Sequence, residues 1–194
     1  NKLTTGGDIK YYPSDISRLE DVEKLYDFVI KEMGALDILV NNAGILGEKE
    51  SIQNYDPQVW REVLDCNLTG LFYVTKLMLP LILDSKSGRI INVSSSVGRV
   101  GRKGWGAYSV SKFGVEGLTQ ILSQELEYSQ ATVNSVNPGA TRTDMRAKAY
   151  PEEDALSLPH PDEITELFVY LASEESTGIS GQSFDVSSWG SRGN

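Results

Sequence analysis

An open, doubly wound α/β sheet is the architecture this sequence predicts, on three observations. Short, nearly uninterrupted apolar runs at 36–40 (LDILV), 89–93 (RIINV) and 131–136 (ATVNSV) read as strands buried on both faces of a parallel sheet. Longer segments with apolar residues at helical spacing lie between them. The polar clusters NNAG, SSS and NPG come directly after the strands, where this architecture binds its ligands.

Taken in order, residues 9–12 read as a short strand that Pro13 ends. Ser17 and Glu20 have capping-box spacing ahead of a helix carrying Leu19, Val22, Leu25, Tyr26, Val29 and Met33, which Gly34 stops. After the strand at 36–40, a long helix is expected over 57–83, a strand over 89–93 and a helix over 107–128. The pattern repeats with a strand at 131–136, a helical segment at 162–173 and a last strand at 182–186. Residues 145–161 would form a lid over the substrate.

The 194 residues suit one domain, 1–194, and 40% hydrophobic with 23% charged residues is ordinary for a globular chain. A formal charge of -9 repels nucleic acid and anionic lipid, so neither is an expected partner. Cys66 has no second cysteine to pair with and no basic-then-apolar leader precedes residue 20, which points to a cytoplasmic protein. The apolar run at 77–83 is too short to span a bilayer and contains Pro80. His160, alone between prolines, gives neither a metal site nor a histidine-based triad and reads as a loop residue.

The chemistry concentrates in 94–112, SSSVGRVGRKGWGAYSVSK. On a helix Tyr108 and Lys112 project from one face a turn apart. An ammonium beside a phenol favours the phenolate, and a serine delivered to the same point by the strand ending at Val93 can hold a carbonyl or alcohol oxygen while the tyrosine moves a proton. A Tyr–Lys pair is by itself an ordinary exposed helix pair; its position after a buried strand and at a helix start favours a site.

NNAG at 41–44, NVSSSVG at 92–98, YSVSK at 108–112 and NPGATRT at 137–143 resemble, in order, the motifs of the short-chain dehydrogenase/reductase family. The resemblance runs from Ile9 to Val186 and implies a Rossmann-like sheet and an NAD(P)-dependent oxidoreductase acting on a small carbonyl or alcohol substrate. It implies Ser95 as the catalytic serine, Tyr108 as general acid/base, and Lys112 as both a ribose ligand and the cation that lowers the tyrosine pKa. Asn67 would extend a proton relay from a locally distorted helix, although a buried asparagine bonded to neighbouring backbone explains it nearly as well. Asp15 and Ile16 would meet the adenine, with helix capping an equally open role for Asp15. Asn41, Ala43 and Gly44 would run along the adenosine ribose, Asn41 also bracing the sheet. Pro138, Gly139, Thr141 and Thr143 would contact the nicotinamide, Thr141 standing where Val or Ile is usual. Ser94 and Ser96 read as hydrogen-bonding the strand end.

The family's glycine-rich turn is missing: Thr5 and Gly6 begin a decoy in which Lys10 and Tyr12 stand where glycines belong. The resemblance therefore implies an N-terminally incomplete domain, leaves the choice of NAD or NADP unreadable, and gives no role to the tail at 187–194. Homodimers or homotetramers through the 57–83 and 107–128 helices are expected. Two other readings stay open, a non-catalytic binding or scaffold subunit of the same fold and a related sugar-nucleotide epimerase that shares the Tyr–Lys spacing.

Overall fold

A computed structural model describes residues 7–189, so Thr5 and Gly6 of the decoy and residues 190–194 of the tail lie outside the described residues. Four parallel strands stand side by side in chain order: β1 (Ile38–Asn41), β2 (Arg89–Val93), β3 (Thr132–Asn137) and β4 (Ser183–Asp185). The register is set residue by residue, Ile90 opposite Leu39 and Val133, and Asn92 opposite Asn41 and Ser135. Every connection is a crossover carrying a helix, as parallel strands require.

Period-two alternation divides the core. Ile90 and Val133 face one side and pack with Ile82 of helix α3 (Leu71–Asp84) and Leu122 of helix α4 (Gly106–Glu125). Ile91 and Val136 face the other side and meet Leu167 and Leu171 of helix α6 (Glu166–Ala172). Helix α1 (Leu19–Glu32) adds an outer layer, with Val22 and Val29 against Val74, Met78 and Leu81 of α3. Gly34 ends α1 at φ +71°, its N–H returning to the carbonyls of Val29 and Ile30, a conformation other residues adopt at a cost.

The 57–83 helix is continuous but not uniform. Asp56 caps helix α2 (Pro57–Leu64) by accepting from the N–H groups of Gln58 (2.6 Å) and Val59 (3.2 Å), and Pro57 occupies the first turn. A π-helical turn, Asp65–Gly70, then joins α2 to α3, so the distortion expected at Asn67 is present. The whole 57–84 rod is long and apolar enough to cross a bilayer; in the fold α1, α4 and β1 cover much of it.

Four expectations change. Residues 9–12 form no strand: Ile9 and Tyr11 are exposed, and among the described residues the segment is held by Tyr12 against the Phe28 ring (4.8 Å) and by the Lys10–Glu32 pair. Among the described residues no strand lies beside it to supply a ladder, without which a short extended segment has no reason to stay regular. The Ser17–Glu20 capping box is absent because Asp15 takes the role first, its carboxylate accepting from both the N–H (3.1 Å) and the hydroxyl (2.7 Å) of Ser17; α1 begins two residues later with no side-chain cap. Among the described residues the first strand stands at the sheet edge and is not buried on both faces: Ile38 and Val40, on the face shared with Ile91, are 42% and 45% exposed because α6 does not extend over them. The 162–173 helix divides at Thr165 into a 3₁₀ turn (Pro161–Ile164) and α6. His160 caps that turn, its Nδ1 accepting from the Asp162 N–H (3.4 Å) while its own N–H donates to Glu163 (2.6 Å).

A buried polar ladder fixes the carboxyl ends of the strands on the α3/α4 side. Asn41 Nδ2 donates to Thr75 Oγ1 (3.1 Å) and to Asn92 Oδ1 (2.9 Å), and Asn92 Nδ2 donates to Thr119 Oγ1 (2.9 Å). Asn41 thus braces the sheet, as its sequence position implies. Asn92→Ala removes two of these bonds and strands their partners away from water, so a loss of about 2–4 kcal/mol in urea unfolding is expected; Asn92→Ala unfolding at the wild-type midpoint would contradict the ladder's importance.

Candidate active site

The strand ends, the opening of α4 and the segment after β3 surround one cleft of about 550 Å³. Of the residues expected at a site, Ala43, Gly44, Ser95, Tyr108, Lys112, Pro138, Gly139, Thr141 and Thr143 line it. Four do not. Asn41 is spent inside the sheet, Asn67 lies behind the cleft wall, and Asp15 and Ile16 sit on the far side of the π turn, where the Ile16 carbonyl leaves no room for a Cβ at Gly70.

Lys112 is the buried centre. Its side chain is 4% exposed, and Nζ donates to the Val93 carbonyl at 2.7 Å, joining α4 to the end of β2. Burial pushes its pKa down from 10.5 to about 8, with its interactions with Cys66 and Glu116 opposing. Glycines permit the approach: a Cβ at Gly98 would lie 2.8 Å from the Lys112 Cβ and carbonyl oxygen, and one at Gly44 would lie 3.2 Å from Asn67 Oδ1 and 3.8 Å from Lys112 Nζ.

Tyr108 is buried one turn earlier, its ring centroid 5.7 Å from Lys112 Nζ. Burial raises the phenol pKa above its ordinary value, and a hydrogen bond with the Ser95 side chain pulls the other way. The expected lowering by Lys112 is absent from this balance. The ammonium is committed to Val93 O, and desolvation disfavours the phenolate more than a cation at that distance favours it. Ser95 opens the 3₁₀ turn Ser96–Gly98, and its Oγ also accepts from the Val97 N–H (3.4 Å).

Asn67 acts through its side chain. Oδ1 accepts from the Ile45 N–H (2.7 Å), and Nδ2 donates to the Ile45 carbonyl (2.9 Å) and to Ser111 Oγ (3.1 Å), so the π turn grips both the loop after β1 and helix α4. Thr143 Oγ1 accepts from the Arg146 N–H (3.2 Å) as the cap of helix α5 (Asp144–Ala149), and Gly139 turns at φ +75° with its N–H on Asn137 Oδ1 (3.1 Å).

Ser94 corrects its expectation. Its backbone N–H reaches the Val136 carbonyl (2.8 Å), but its hydroxyl is buried in the cleft wall without a partner. Sequence reasoning passed over Asn42, Leu46, Trp105, Met145 and Arg146, which also line the cleft. Asn42 lay within NNAG, and Trp105 stands three residues before Tyr108; Arg146, inside the expected lid, carried no signal of its own.

The residues present fit the nicotinamide-ribose end of a dinucleotide. Lys112 spends one of three N–H donors on protein, Gly44 keeps the wall open beside its amine, and Ser94 offers an unsatisfied hydroxyl among the described residues. Ala43, Gly44, Lys112, Pro138, Gly139 and Thr143 are the residues that would hold it.

Comparison with known proteins agrees. The family model described as short chain dehydrogenase matches residues 1–154. An uncharacterized oxidoreductase, YciK, of Escherichia coli K12 is 40% identical over 167 residues, 86% of this chain and 66% of its own length. A 3-oxoacyl-[acyl-carrier-protein] reductase of Synechocystis is 34% identical over 190 residues, 95% of this chain and 76% of its own. The crystal structure of a short chain dehydrogenase from Escherichia coli CFT073 complexed with NADPH superimposes with a TM-score of 0.84 at 41% identity, covering 87% of this chain and 70% of that one. With those motifs folded around one cleft, the chain belongs to the short-chain dehydrogenase family.

Proposed function

We propose that the protein is an NAD(P)-dependent oxidoreductase interconverting a carbonyl compound and the corresponding secondary alcohol, with Ser95, Tyr108 and Lys112 as its catalytic residues. The observation that carries this reading is that Ser95, Tyr108 and the buried Lys112, anchored through Nζ on the Val93 carbonyl, line one cleft. The printed names of the relatives, an oxidoreductase and a 3-oxoacyl reductase, support it, as does the NADPH held by a structural neighbour.

When bound, the nicotinamide would supply or accept the hydride at the substrate carbon. Tyr108, with its pKa raised, keeps its proton at neutral pH and donates it to the substrate oxygen during reduction. Ser95 hydrogen-bonds the same oxygen as charge develops there. Lys112 keeps a positive charge behind the phenol and orients the ribose, and Asn67 holds the 44–46 loop against it. Homo-oligomerisation through α3 and α4 belongs to the same proposal, supported by exposed Phe72, Val110, Phe113 and Ile121 on those helices.

Tyr108→Phe is expected to abolish single-turnover reduction of a model ketone while leaving NADPH affinity, read by fluorescence, within a few-fold of wild type. Retention of an appreciable rate would remove Tyr108 from the chemistry.

Ser95→Ala should slow reduction more than Ser94→Ala or Ser96→Ala, since one oriented donor at a developing oxyanion is worth roughly 3 kcal/mol. A larger loss at Ser94 in the same assay would transfer the role to that orphaned hydroxyl.

The depressed pKa of Lys112 also has a stability consequence. Between about pH 8 and 10.5 the unfolded chain binds a proton at this lysine that the folded chain has released, so the group's contribution to stability rises with pH there. The wild type minus Lys112→Met difference in unfolding free energy should therefore be least favourable below pH 8 and improve by about 3 kcal/mol toward pH 10.5, at 1.36 kcal/mol per unit. A difference flat across that window, measured by urea titration, would mean the amine is not desolvated.

A further inference from the structure

Beside Tyr108 the cleft wall is apolar and aromatic, and it is cross-braced to the segment after β3. Trp105 lies between Tyr108 (5.6 Å between ring centroids) and Tyr150 (6.0 Å). Two cations flank Tyr150, Lys49 Nζ at 4.2 Å and Arg146 Cζ at 3.9 Å from the ring centroid. Neither charge is free. Lys49 donates to the Ala149 carbonyl (2.7 Å) and also lies over Trp105. Arg146 is held in a two-point fork by Glu153, Nε to Oε2 at 2.6 Å and Nη2 to Oε1 at 2.7 Å, and that carboxylate raises the guanidinium pKa.

Arg146 lines the cleft and Glu153 does not. From behind the wall Glu153 therefore occupies the edge of the guanidinium that would otherwise match an incoming carboxylate two points to two, and its negative charge stands close to any anion that takes the remaining edge. Apart from Lys112, which belongs to the hydride end of the cleft, Arg146 is the one cation among the lining residues.

Resting on the oxidoreductase reading above, the geometry points to Glu153 as a specificity-determining residue: through Arg146 it restricts the substrate to uncharged, apolar carbonyl compounds and turns away those bearing a carboxylate. A neutral ring or chain packs on Trp105, Leu46 and Met145 without disturbing the fork. A carboxylated substrate must either compete with Glu153 for the guanidinium or leave its own charge desolvated against the indole.

The test uses the intact protein with a matched pair of probes, acetophenone and 4-acetylbenzoate, which differ by one carboxylate. Two readouts are taken: binding by ligand-observed NMR, with and without NADPH, and kcat/KM for reduction. Wild type should favour acetophenone by at least about tenfold, the effect of one unfavourable charge contact near a protein surface. Glu153→Gln keeps the fork's shape and removes its charge, and should bring the ratio to parity or reverse it, chiefly by strengthening 4-acetylbenzoate. Glu153→Gln combined with Arg146→Gln should restore the wild-type preference, which a merely structural role for Glu153 would not produce. Equal binding of the two probes by wild type, binding of neither, or a Glu153→Gln effect equal on both would overturn the assignment. Selective binding of acetophenone that is never reduced would instead sink the oxidoreductase reading and leave this one standing.

Discussion

A lysine amine buried at the end of β2 is the constraint around which the site is arranged. Bringing an ammonium out of water is costly, and the depression of the Lys112 pKa to about 8 measures part of that cost. Its one protein acceptor, Val93 O, lies where the strand gives out and the carbonyl is released from the ladder. The neighbourhood is shaped to admit it: Gly98 has no side chain where α4 must press against the 96–98 turn, Gly44 none where the loop after β1 passes the amine, and Gly114 none where Leu68 of the π turn fills the space. The π turn serves the same end, since Asn67 holds Ile45 by both its N–H and its carbonyl while also gripping Ser111, one residue before the lysine.

Buried polar groups recur along the sheet, each closing a connection that apolar packing would leave loose. The Asn41–Asn92–Thr119 ladder stands under the site. At the other end of β2, Arg89 is only 2% exposed and among the described residues has no carboxylate partner; its guanidinium donates instead to the Gly88 carbonyl (3.1 Å), the Gln130 carbonyl (3.4 Å) and Thr177 Oγ1 (3.0 Å), which pins the chain approaching β4. Asn134 does the same from β3, donating to the Ile179 carbonyl (2.7 Å) and accepting from the Gln182 N–H (3.0 Å). Such groups stabilise only when their partners are all in place, so they specify one arrangement of the loops more sharply than leucines could.

Segments whose structure follows from local chemistry were legible in the sequence. RIINV at 89–93 matches β2 to the residue, Gly34 and Pro57 mark helix ends, and the family resemblance at Asn67 implied the local helix distortion that the π turn provides. What could not be read depends on neighbours far along the chain. The run 36–40 is as apolar as 89–93, yet only one face of β1 is covered, and periodicity does not reveal which strands lie at an edge. Residues 9–12 have strand-like composition and, among the described residues, no strand beside them. Motif spacing pointed to Ser95, Tyr108 and Lys112, which share one cleft, but could not say that Asn41 would be consumed by the sheet, because its partners Thr75 and Asn92 lie 34 and 51 residues along the chain.

The two loops that close on the cleft from β2 and β3 are themselves tied together from outside it. Asp185, at the end of β4, accepts from both Nη1 (2.9 Å) and Nη2 (2.7 Å) of Arg99, and Asn137 Nδ2 reaches the same carboxylate while Asn137 Oδ1 receives the Gly139 N–H. One carboxylate thereby links the turn that carries Ser95 to the turn that carries Pro138 and Gly139. Arg99 holds the Asp185 pKa below the ordinary carboxylate range. The short fourth strand, three residues long and partly exposed, contributes little to the core by area. Its value lies in delivering that carboxylate to a point where it holds two otherwise independent loops, both lining the cleft, at a fixed separation.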